Sequence, residues 1–518
     1  MKKKSTIIAL AVLVATSVSA QTVYDAANII SKDLNGTARF VGMGGAMGAL
    51  GGDISTIGTN PAGIGIYRSN DAMVSFGFSS MGVESKLGSN TFNSDKNRWN
   101  FDNAGFVFST KLGNVTTLRY VNFGFNYHKA KSFNRTMTMG GQYGLSQTDL
   151  MASQANQMYG AGMDLQQLTE KNILPYDQDR VGWLGALGWD ARLFDRDDDP
   201  NNPYLSLGIS PYATYKSVER GGVDQYDFNI AFNFNDRFYF GVTIGAYDVN
   251  YRKSYFYGED MGKGDDYSIS SENRINGAGW DAKFGFILRP MEDSPLRLGL
   301  AIHTPTFYKL TYTTRAAIQS NIWYVNNETG EEFQEHLSYD TYYELNNKDM
   351  KSEFELRTPW TYNLSIGYTV GSNLALGAEY EYQDYSKMAF YYPEGDKMEY
   401  ESEEAKINNK GVSTFRIGAE YKVIPEFALR LGYNYSSAAF KNNTDTDFAN
   451  AKANNNYTLG IGYRGSSFYA DLAYKYSTQK ADFYPFALPG NNGNYDVPAV
   501  TKVTNSRSQV LFTLGMRF

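Results

Sequence analysis

Most of the chain alternates apolar residues with glycine, asparagine or small polar residues, which is the period of a β-strand. In the segment 121–127, for example, apolar side chains occupy every second position. Such segments begin near Val74, and counting them gives about fourteen, the last ending on Phe518. After the first 20 residues, no segment is apolar over the roughly 20 residues that a membrane-spanning helix needs. The sequence therefore predicts an all-β protein built from antiparallel strands.

The connections between the predicted strands alternate in length. Short turns such as Asn235-Asp236 lie at one end of the strands, and long polar segments lie at the other. An even number of strands with this asymmetry is typical of outer-membrane barrels, whose short turns are periplasmic. We therefore predict that both termini are periplasmic and that the loops are extracellular. The long segments follow Met81, Lys129, Tyr257, Tyr312, Ala389, Phe440 and Gln479.

The longest connection, about 129–225, breaks the alternation, and so long an insertion is expected to be functional or disordered. Within it, residues 146–158 are predicted to form a helix with Ser146 as its N-cap.

The two faces of the strands differ in chemistry. Fourteen strands enclose a lumen too wide for side chains to fill, so an apolar interior would leave an empty cavity. The apolar face, with tyrosines such as Tyr421 and Tyr463 near the strand ends, is therefore predicted to contact lipid. The face rich in Gly, Asn, Ser and Thr then lines the lumen. A soluble β-sandwich is the alternative that fits the same alternation.

The first residues have the features of a secretory signal. Three lysines precede a short apolar core at 7–14, and Val18-Ser19-Ala20 offers a cleavage site before Gln21. We predict that residues 1–20 are a signal peptide. The chain has no cysteine, which rules out disulfides and thiolate metal sites. Its net charge of -7 argues against nucleic acid as a partner.

A non-alternating segment precedes the strands. Residues 38–66 are rich in Gly and Ala, nearly free of charge, and close on Asn60-Pro61-Ala62-Gly63. Such a segment ahead of about fourteen strands resembles the FadL-type outer-membrane transporters of long-chain fatty acids and other hydrophobic compounds. Three further stretches strengthen the resemblance, at 298–307, 377–380 and 416–421.

The resemblance implies a monomeric transmembrane barrel, residues 69–518, with an N-terminal hatch, residues 21–68, inside its lumen. It implies that surface loops collect an apolar ligand and pass it to a lumen pocket. Hatch movement then lets the ligand leave sideways through a gap near an inward kink of the third strand, 118–127. Carried over, Asn60, Pro61, Ala62 and Gly63 are the hatch motif, interpreted as a hinge or latch, and Gly124 is the candidate kink. The segment 129–225 does not align, so no ligand-contacting residue is transferred.

Small residues would let the hatch pack closely against the lumen wall. Gly44, Gly48 and Gly52 are four residues apart and predict one close-packed helical face. A disordered linker is the alternative on composition.

Charged residues also fall on the lumen face by pleat parity. These cations are candidate partners for a charged ligand head group. The alternative is that lumen charges pair with one another, as Glu420 and Arg430 would beside their turn. The candidate lumen cations are Lys283, Arg297, Arg416 and Arg430, and the carboxylates on that face are Asp281, Glu379, Glu381, Glu420 and Asp471.

The sequence gives little indication of a catalytic, cofactor or metal site. The histidines His128, His303 and His336 have no nucleophile marked by spacing, so no enzyme activity is predicted. The glycine run at 42–48 lacks the preceding strand of a dinucleotide loop. The aspartates at 195, 197 and 199 have calcium-loop spacing, but Pro200 stands where such a loop needs glycine. We predict no catalytic residue, no metal and no cofactor.

The sequence thus predicts an outer-membrane transporter that takes up hydrophobic small molecules. A general porin or surface-structural barrel is the alternative, and a barrel enzyme is a third. The predicted partners are the hydrophobic ligand, outer-membrane lipid and lipopolysaccharide. The ligand itself stays open between a fatty acid, an aromatic hydrocarbon and a larger molecule such as haem.

Overall fold

A computed structural model describes residues 16–114, 116–173, 182–208, 212–325, 329–441, 451–489 and 495–518. Residues 1–15 of the predicted signal peptide lie outside the described residues. Two helices, α1 (Thr16–Ile30) and α2 (Ala38–Gly42), come first, followed by the 3-10 turns Ile54–Gly58 and Pro61–Ile66. Among the described residues, no helix is both long and apolar enough to cross a membrane.

Antiparallel strands make up most of the remaining chain. In the first half the elements are β1 (Asp71–Leu87), β2 (Asn90–Lys111), β3 (Leu118–Ser132), β4 (Arg135–Gly141), α3 (Gln147–Gly160), α4 (Leu165–Glu170), α5 (Trp183–Asp190), β5 (Phe194–Arg196), β6 (Tyr204–Ser206), β7 (Tyr212–Phe234), β8 (Phe238–Gly262) and β9 (Asp265–Leu288). In the second half they are β10 (Arg297–His303), β11 (Phe307–Val325), β12 (Glu332–Asp340), α6 (Thr341–Glu344), β13 (Met350–Arg357), β14 (Thr361–Val370), β15 (Leu374–Asp384), the 3-10 turn Tyr385–Lys387, β16 (Ala389–Tyr391), α7 (Glu399–Asn408), β17 (Gly411–Ile424), β18 (Phe427–Ser436), β19 (Asn454–Arg464), β20 (Phe468–Phe483), β21 (Leu488–Pro489), β22 (Tyr495–Asp496) and β23 (Thr501–Arg517).

The strands close into a single barrel. The last strand, β23, pairs with β1 along its length, from Asp71 opposite Arg517 to Lys86 opposite Lys502. Some strands of the barrel are interrupted: β3 and β4 both pair with β7, β10 continues as β11, β12 and β13 continue as β14, and β15 continues as β16. Counting each interrupted strand once gives fourteen, and the predicted hatch-filled barrel is confirmed.

The two faces have the predicted chemistry. On the outer face, Phe228, Leu364 and Leu431 are each more than half exposed. Their sequence neighbours Asn229, Asn363 and Arg430 point into the lumen and are buried. A soluble sandwich would bury the first set, so the exposed apolar band identifies the lipid-facing side.

Strand length departs from the sequence prediction. The segments after Met81 and Tyr257 are not long loops, because β1 and β2 meet at the turn Gly88-Ser89, and β8 and β9 meet beside Lys263. Beyond the lipid-facing band the outer face of a strand meets water, and its residues no longer need to be apolar. On β9 the outward residues beyond the exposed Trp280 are Ala278, Asn276, Arg274 and Glu272. The alternation therefore disappears from the sequence although the strand continues.

The segment predicted as one loop, 129–225, is also largely regular structure. After β4 it forms a cap, defined here as residues 142–208 of the described chain, and β7 begins at Tyr212. The cap encloses an apolar core that includes Met151, Met158 and Leu187. Its main helix, α3, begins with the predicted N-cap Ser146, whose side chain accepts from Thr148 N.

The two ends of the described chain lie in different places. Phe518 bonds to Asn70 at the rim that carries the short turns, called here the short-turn rim. In contrast, α1 packs inside the lumen against α7 and among upper-wall residues such as Tyr308 and Leu356. The first described residues therefore lie inside the lumen beside the hatch. The periplasmic position of both termini stays a prediction.

Candidate functional site

Asn60 fastens the hatch to the barrel wall. It is completely buried, and its side-chain oxygen accepts from Ala62 N at 3.2 Å, which caps the 3-10 turn Pro61–Ile66. Its amide donates to Gly48 O at 2.9 Å and to Phe286 O of β9 at 3.2 Å. One side chain thus joins two parts of the hatch to the wall.

The other motif residues, Pro61, Ala62 and Gly63, are so closely packed that a larger side chain at several of the contacts would overlap a neighbouring atom. A Cβ added to Gly241 of β8 would overlap the backbone of Pro61, and one added to Gly63 would overlap Thr56 Oγ1. Ala62 is buried beside Tyr239 and Ile287. The motif is therefore closely packed between the hatch and the wall. That it acts as a hinge or latch stays a prediction.

A row of wall glycines receives the hatch. Gly367, Gly377, Gly418 and Gly432 lie directly opposite one another on β14, β15, β17 and β18, and we call them the glycine belt. A Cβ on Gly377 would overlap Ala46 O, and one on Gly418 would overlap Met43 O. The belt lets the hatch backbone approach the wall more closely than any side chain would allow. The sequence predicted glycine on the lumen face but not this alignment.

The three predicted packing glycines do not share a helical face. Residues 43–52 form turns, and Gly44 and Gly52 have φ of 63° and 67°, outside the helical region. The helix prediction fails because spacing by four also fits successive turns. Gly44 faces Tyr433 of the wall and Gly48 faces Glu379, whereas Gly52 has only Ile66 nearby.

An ion network holds the hatch from the side. Both Nε and Nη2 of Arg39 donate to the carboxylate of Glu420 at 2.9 Å. Glu420 also accepts from Arg430 Nε at 2.6 Å, and Arg430 Nη1 donates to Asp471 at 2.6 Å. Sequence reasoning missed Arg39, although it is the only charged residue between 38 and 52. That isolation in an otherwise neutral segment was the available signal.

The remaining candidate lumen cations are also paired. Arg416 donates to Glu379 at 2.5 Å, and Glu379 in turn accepts from the hatch amide of Gly48 at 3.0 Å. Lys283 is fully buried between two aspartates at 2.8 and 2.9 Å. Arg297 donates to the hatch carbonyl of Leu50 at 2.6 Å. Lys283, Arg416 and Arg430 thus pair with lumen carboxylates, as the alternative proposed, whereas Arg297 contacts a hatch carbonyl and no described carboxylate. Binding of a ligand head group by any of the four stays a prediction.

Two histidines flank the same turn of the hatch. His303 contacts Thr59 O through Nε2 at 2.9 Å, and the ring of His128 lies against Gly58. His336 is far from them, on β12, where it bonds to Asn321.

A cavity of about 380 Å³ lies in the lumen on the α1 side of the hatch. Its lining is mixed: most of the lining residues are polar, but apolar atoms, including those of several aromatic rings, contribute slightly more than half of the exposed surface. Tyr24 of α1 stacks on Phe440 with ring centroids 5.1 Å apart, and Phe133 packs on Tyr251 at 4.7 Å. The cavity therefore offers an aromatic surface and a hydrogen-bonding surface side by side.

Lys32 reaches into this cavity from the chain just after α1. Within the part of the chain that the structure describes, its ammonium has no hydrogen bond or ion pair, and only longer-range attraction comes from Asp281 and Glu381. The lumen wall that surrounds the side chain displaces water and, with a smaller effect from the charge of Lys283, lowers the pKa of Lys32, although the side chain is exposed to the cavity. Pleat parity overlooked this residue because it lies on the hatch and not on a strand.

The barrel wall has an opening between β2 and β3. Their ladder runs from Lys111–Tyr120 to Asn103–His128 and stops there, although β2 continues to Asn90. Beyond that point the described contacts across the opening come from side chains, such as Arg98 Nη1 to Asn134 Oδ1 at 2.6 Å. Opposite the end of the ladder, a register shift between β1 and β2 leaves Asp102 without a partner on β1.

Two hatch residues lie across this opening. Asp33 N donates to Ala130 O at 2.8 Å, and its carboxylate accepts from Ser132 N at 3.2 Å. Asn35 Nδ2 bridges the two strands by donating to Asp102 Oδ1 at 2.9 Å and to Lys129 O at 3.0 Å. We call Asp33 and Asn35 the bolt.

Charge holds the bolt in place. Arg507 of β23 lies 2.9 Å from the carboxylate of Asp33, and Lys131 lies 3.3 Å from it. Burial opposes ionisation, but the charges of Lys131 and Arg507 hold the pKa of Asp33 below its usual range. Asp33 is therefore ionised at any physiological pH.

The backbone around Gly124 is regular. Gly124 pairs with Val107 on one side and Asn229 on the other, and the register shifts of β3 fall at Leu118/Tyr120 and Lys129/Lys131. A Cβ at Gly124 would lie 2.9 Å from Ile57 Cδ1 of the hatch. The ladder thus has no register shift at Gly124, and the opening lies where the β2–β3 ladder ends. The kink at Gly124 stays a prediction.

Residues 223–485, just over half of the chain, match the model of a family described as outer membrane protein transport protein (OMPP1/FadL/TodX). By sequence, no curated protein matches the chain.

Several solved structures are similar to the whole barrel. A Pseudomonas aeruginosa FadL homologue is 13% identical with a TM-score of 0.51, covering 93% of this chain and 99% of its own. The P. putida toluene transporter TodX is 11% identical with a TM-score of 0.47, and coverage is 94% and 99%. The Ralstonia pickettii toluene transporter TbuX is 14% identical with a TM-score of 0.46, and coverage is 94% and 99%. The first of these shares the fold.

Proposed function

The chain belongs to the outer-membrane transport protein family that includes FadL and TodX, and from that premise we propose that it takes up hydrophobic small molecules across the outer membrane. Members of this family are transport channels and not enzymes. The ligand that the lumen fits best is an amphiphile resembling a long-chain fatty acid. The long-loop side faces the exterior in this proposal, and the protein acts as a monomer.

The arrangement of cavity, bolt and opening carries the proposal. The cavity is bounded by Asp33 and Asn35, the two residues that lie across the wall opening. Moving the bolt would therefore connect the cavity directly with the side of the barrel. Lateral exit suits an apolar ligand, because it passes from the lumen into hydrocarbon without crossing bulk water.

The lining of the cavity narrows the class of ligand. A pure hydrocarbon would leave most of the polar lining unsatisfied, at a cost of about 1–3 kcal/mol for each buried group. An amphiphile would place its carboxylate near Lys32 and its chain along the aromatic side formed by Tyr24, Phe133 and Phe440. A fatty-acid-like molecule meets both requirements.

Locking the bolt tests the proposed exit route. The chain has no native cysteine, so the double variant Asn35→Cys/Asp102→Cys, joined by a short reducible thiol cross-linker, connects hatch and wall at one place. We expect fatty-acid uptake by cells to fall to background after cross-linking and to return after reduction.

The matched controls are the two single-cysteine variants and a pair on one exposed hairpin, Asn321→Cys/His336→Cys, which are opposite each other on β11 and β12. None of them should respond to the cross-linker. Unchanged uptake through the locked barrel would contradict lateral exit past the bolt. A purified wild-type barrel that binds neither fatty acids nor hydrocarbons would contradict the proposed function as a whole.

A further inference from the structure

Two neighbouring strands of the wall are interrupted at the same height. The strand made of β10 and β11 is broken at residues 304–306, and the strand that joins β13 to β14 is broken at residues 358–360. Each interruption contains a proline, Pro305 or Pro359. Proline has no N–H to donate, so inside sheets it occurs at edges and bulges. Two adjacent interruptions therefore make a weak place in the wall.

The ladder between these two strands is incomplete at the interruptions. Regular pairing ends at His303–Thr361 on the short-turn side and resumes four residues further along each strand. In the gap, Thr306 N donates to Thr358 Oγ1 at 2.8 Å, and Thr358 N donates to Thr306 O at 3.1 Å. Parting the strands here breaks fewer backbone hydrogen bonds than parting an uninterrupted stretch of the same length.

A small void lies directly behind the interruptions, on the lumen side. Its volume is about 10 Å³, close to that of a single water molecule, and its lining includes Thr306 and Thr358. Ile30 and Lys32 line both this void and the larger cavity. Lys32, whose ammonium has no hydrogen bond or ion pair within the described chain, therefore stands between the cavity and the interrupted wall.

The outer side of the same place is aromatic. Trp360 is 47% exposed and continues the lipid-facing series of β14, in which Tyr362 comes next. Phe307 stacks on Trp280 of β9, with ring centroids 5.1 Å apart. Arg357, the last residue of β13, lies directly opposite Phe307, and its side chain is 40% exposed. The interruption thus opens outward among aromatic rings and one guanidinium group.

This outer side stands at the height of the membrane interface. Arg357, Phe307 and Trp280 lie directly opposite one another across three strands. On the short-turn side of Trp280, the outward residues of β9 are Ala282 and then the exposed Phe284 of the lipid-facing band. Exposed aromatic residues at the edge of such a band lie at the level of lipid head groups. The row of Arg357 therefore adjoins the band directly.

A cation lies on each side of the interrupted wall. Lys32 is on the lumen side. On the outer side, Glu355 lies 3.8 Å from Arg357 and 3.5 Å from Lys309, so two cations share one carboxylate. One positive charge on the outer side is left for an anion, and a second one is available inside.

We propose that the interruption is a portal through which single-chain anionic amphiphiles enter the lumen from the outer leaflet of the membrane. Arg357 attracts the head group at the interface, and Lys32 receives it inside. The narrow void suits one chain and not two. This portal is separate from the opening beside the bolt, because β3, β7, β8, β9 and the strand of β10 and β11 lie between them. The proposal rests on the proposed function and on the long-loop rim facing the exterior.

A reducible cross-link across the interruption tests the portal. The double variant Thr306→Cys/Thr358→Cys, joined by a short reducible thiol cross-linker, ties the two strands together. The full-length protein in lipid nanodiscs receives palmitate with a photoreactive group on its chain, and labelling of the lumen against time gives the loading rate. Cross-linking should slow loading about tenfold or more, and reduction should restore it. The equilibrium affinity for palmitate should not change, because a portal alters entry and exit alike.

The matched control is Thr313→Cys/Lys351→Cys, a directly opposed pair in the uninterrupted ladder between β11 and β13. Its cross-link should leave the loading rate unchanged. Arg357→Gln provides a readout without any cross-link: loading of palmitate should slow about threefold, and loading of the uncharged alcohol of equal length should not. Lys351→Gln removes an exposed cation from the same strand and should change neither rate. If the double-cysteine barrel does not assemble, these two single variants test the proposal.

The outcomes separate the portal from the proposed function. Unchanged loading of the cross-linked barrel, with palmitate still bound, would overturn the portal and leave the proposed function intact. Equal slowing by the control cross-link would overturn it as well, and so would a loss of affinity in parallel with the rate, because the interruption would then shape the binding site. A wild type that binds no palmitate would contradict the proposed ligand class itself.

Discussion

Lys32 is the residue on which the proposed ligand class most directly depends. Its ammonium lines the cavity and has no partner within the described chain. A ligand carboxylate would supply the missing charge-assisted hydrogen bond, an interaction of about 1.5–3 kcal/mol. We expect Lys32→Gln to weaken binding of palmitate about tenfold or more and to leave binding of the uncharged alcohol of equal length unchanged. Calorimetric titration of the purified protein measures both.

The control for this prediction is Lys387→Gln, which removes an exposed lysine outside the lumen. It should change neither affinity. An equal loss of affinity for acid and alcohol in Lys32→Gln would mean that the residue shapes the cavity without contacting the head group.

Arg39 is a hatch residue that ties the hatch to the wall through charge, as Asp33 also does. Its two hydrogen bonds to Glu420 span the boundary between the hatch and a barrel strand. Arg39→Gln leaves Glu420 with Arg430, so the wall keeps its own pair while the hatch loses its anchor. We expect the open hatch to become more favourable by about 2 kcal/mol, a roughly thirtyfold change in its population. Single-channel recording in planar bilayers should show this as more frequent openings.

The comparison variant for Arg39 is Arg315→Gln, which breaks an exposed ion pair with Asp340 on the long-loop side. Its openings should match those of the wild type. If Arg39→Gln stayed equally closed, the hatch would be held by packing and backbone contacts alone.

At the scale of elements, α1 is expected to respond to pH through Asp25. Burial raises the pKa of Asp25 to about 7, with Lys253 opposing the shift and Glu219 adding to it. Docking of α1 is therefore favoured while the carboxyl is protonated. It weakens as pH rises from about 4 to about 7, by up to about 4 kcal/mol in total.

The thiol reporter Asn28→Cys on α1 measures this effect through its rate of modification. The thiol also ionises as pH rises, so each modification rate is divided by the rate for an unfolded peptide that carries the same thiol. We expect this corrected rate to rise between pH 5 and pH 8. Adding Asp25→Asn should make the corrected rate independent of pH. A pH dependence that persists in the double variant would assign the effect to another group.

The glycine belt makes a prediction about packing. Gly377 and Gly418 are the positions at which an added methyl group would overlap hatch carbonyls. Either Gly377→Ala or Gly418→Ala should push the hatch from its seat, at an overpacking cost of about 1–3 kcal/mol. We expect raised conductance and faster proteolysis of the hatch, with the barrel still folded on gels. Gly160→Ala, at the end of α3 with open space around it, should leave both measurements unchanged.

Elements within the lipid-facing band could be predicted from the sequence, and elements beyond it could not. Inside the band, lipid on one face and polar lumen on the other impose strict alternation, and the turn at Asn235-Asp236 was predicted correctly. Beyond the band, water meets the outer face, so strand residues such as Arg252 and Arg274 look like loop. The hatch posed a different difficulty, because its contacts with Glu420, Glu379 and Phe286 come from distant strands. The hatch motif could be recognised in the sequence, but the wall residues that contact it could not be inferred from the local sequence pattern.

On the scale of the whole molecule, the hatch and the barrel have separate sources of stability. Every strand of the barrel pairs with barrel strands on both sides, and β23 returns to β1 without any hatch strand in between. The hatch contributes turns, α1 and side-chain contacts, which fill the lumen, but no strand of the barrel sheet belongs to it. The wall can therefore hold its shape while the hatch moves, which a gate inside a barrel requires.

Removing the hatch tests this separation and distinguishes a gated transporter from a general porin. Deleting residues 22–66 keeps the predicted signal peptide and all barrel strands. The shortened chain should still assemble, because the pairing between barrel strands does not involve the hatch. Water can solvate lumen charges such as Glu420 and Arg430 after Arg39 is gone. We expect continuous conductance in planar bilayers where the full-length protein is mostly closed. If the two chains conducted equally, the hatch would not be the barrier, and the interpretation as a general porin would be the better one.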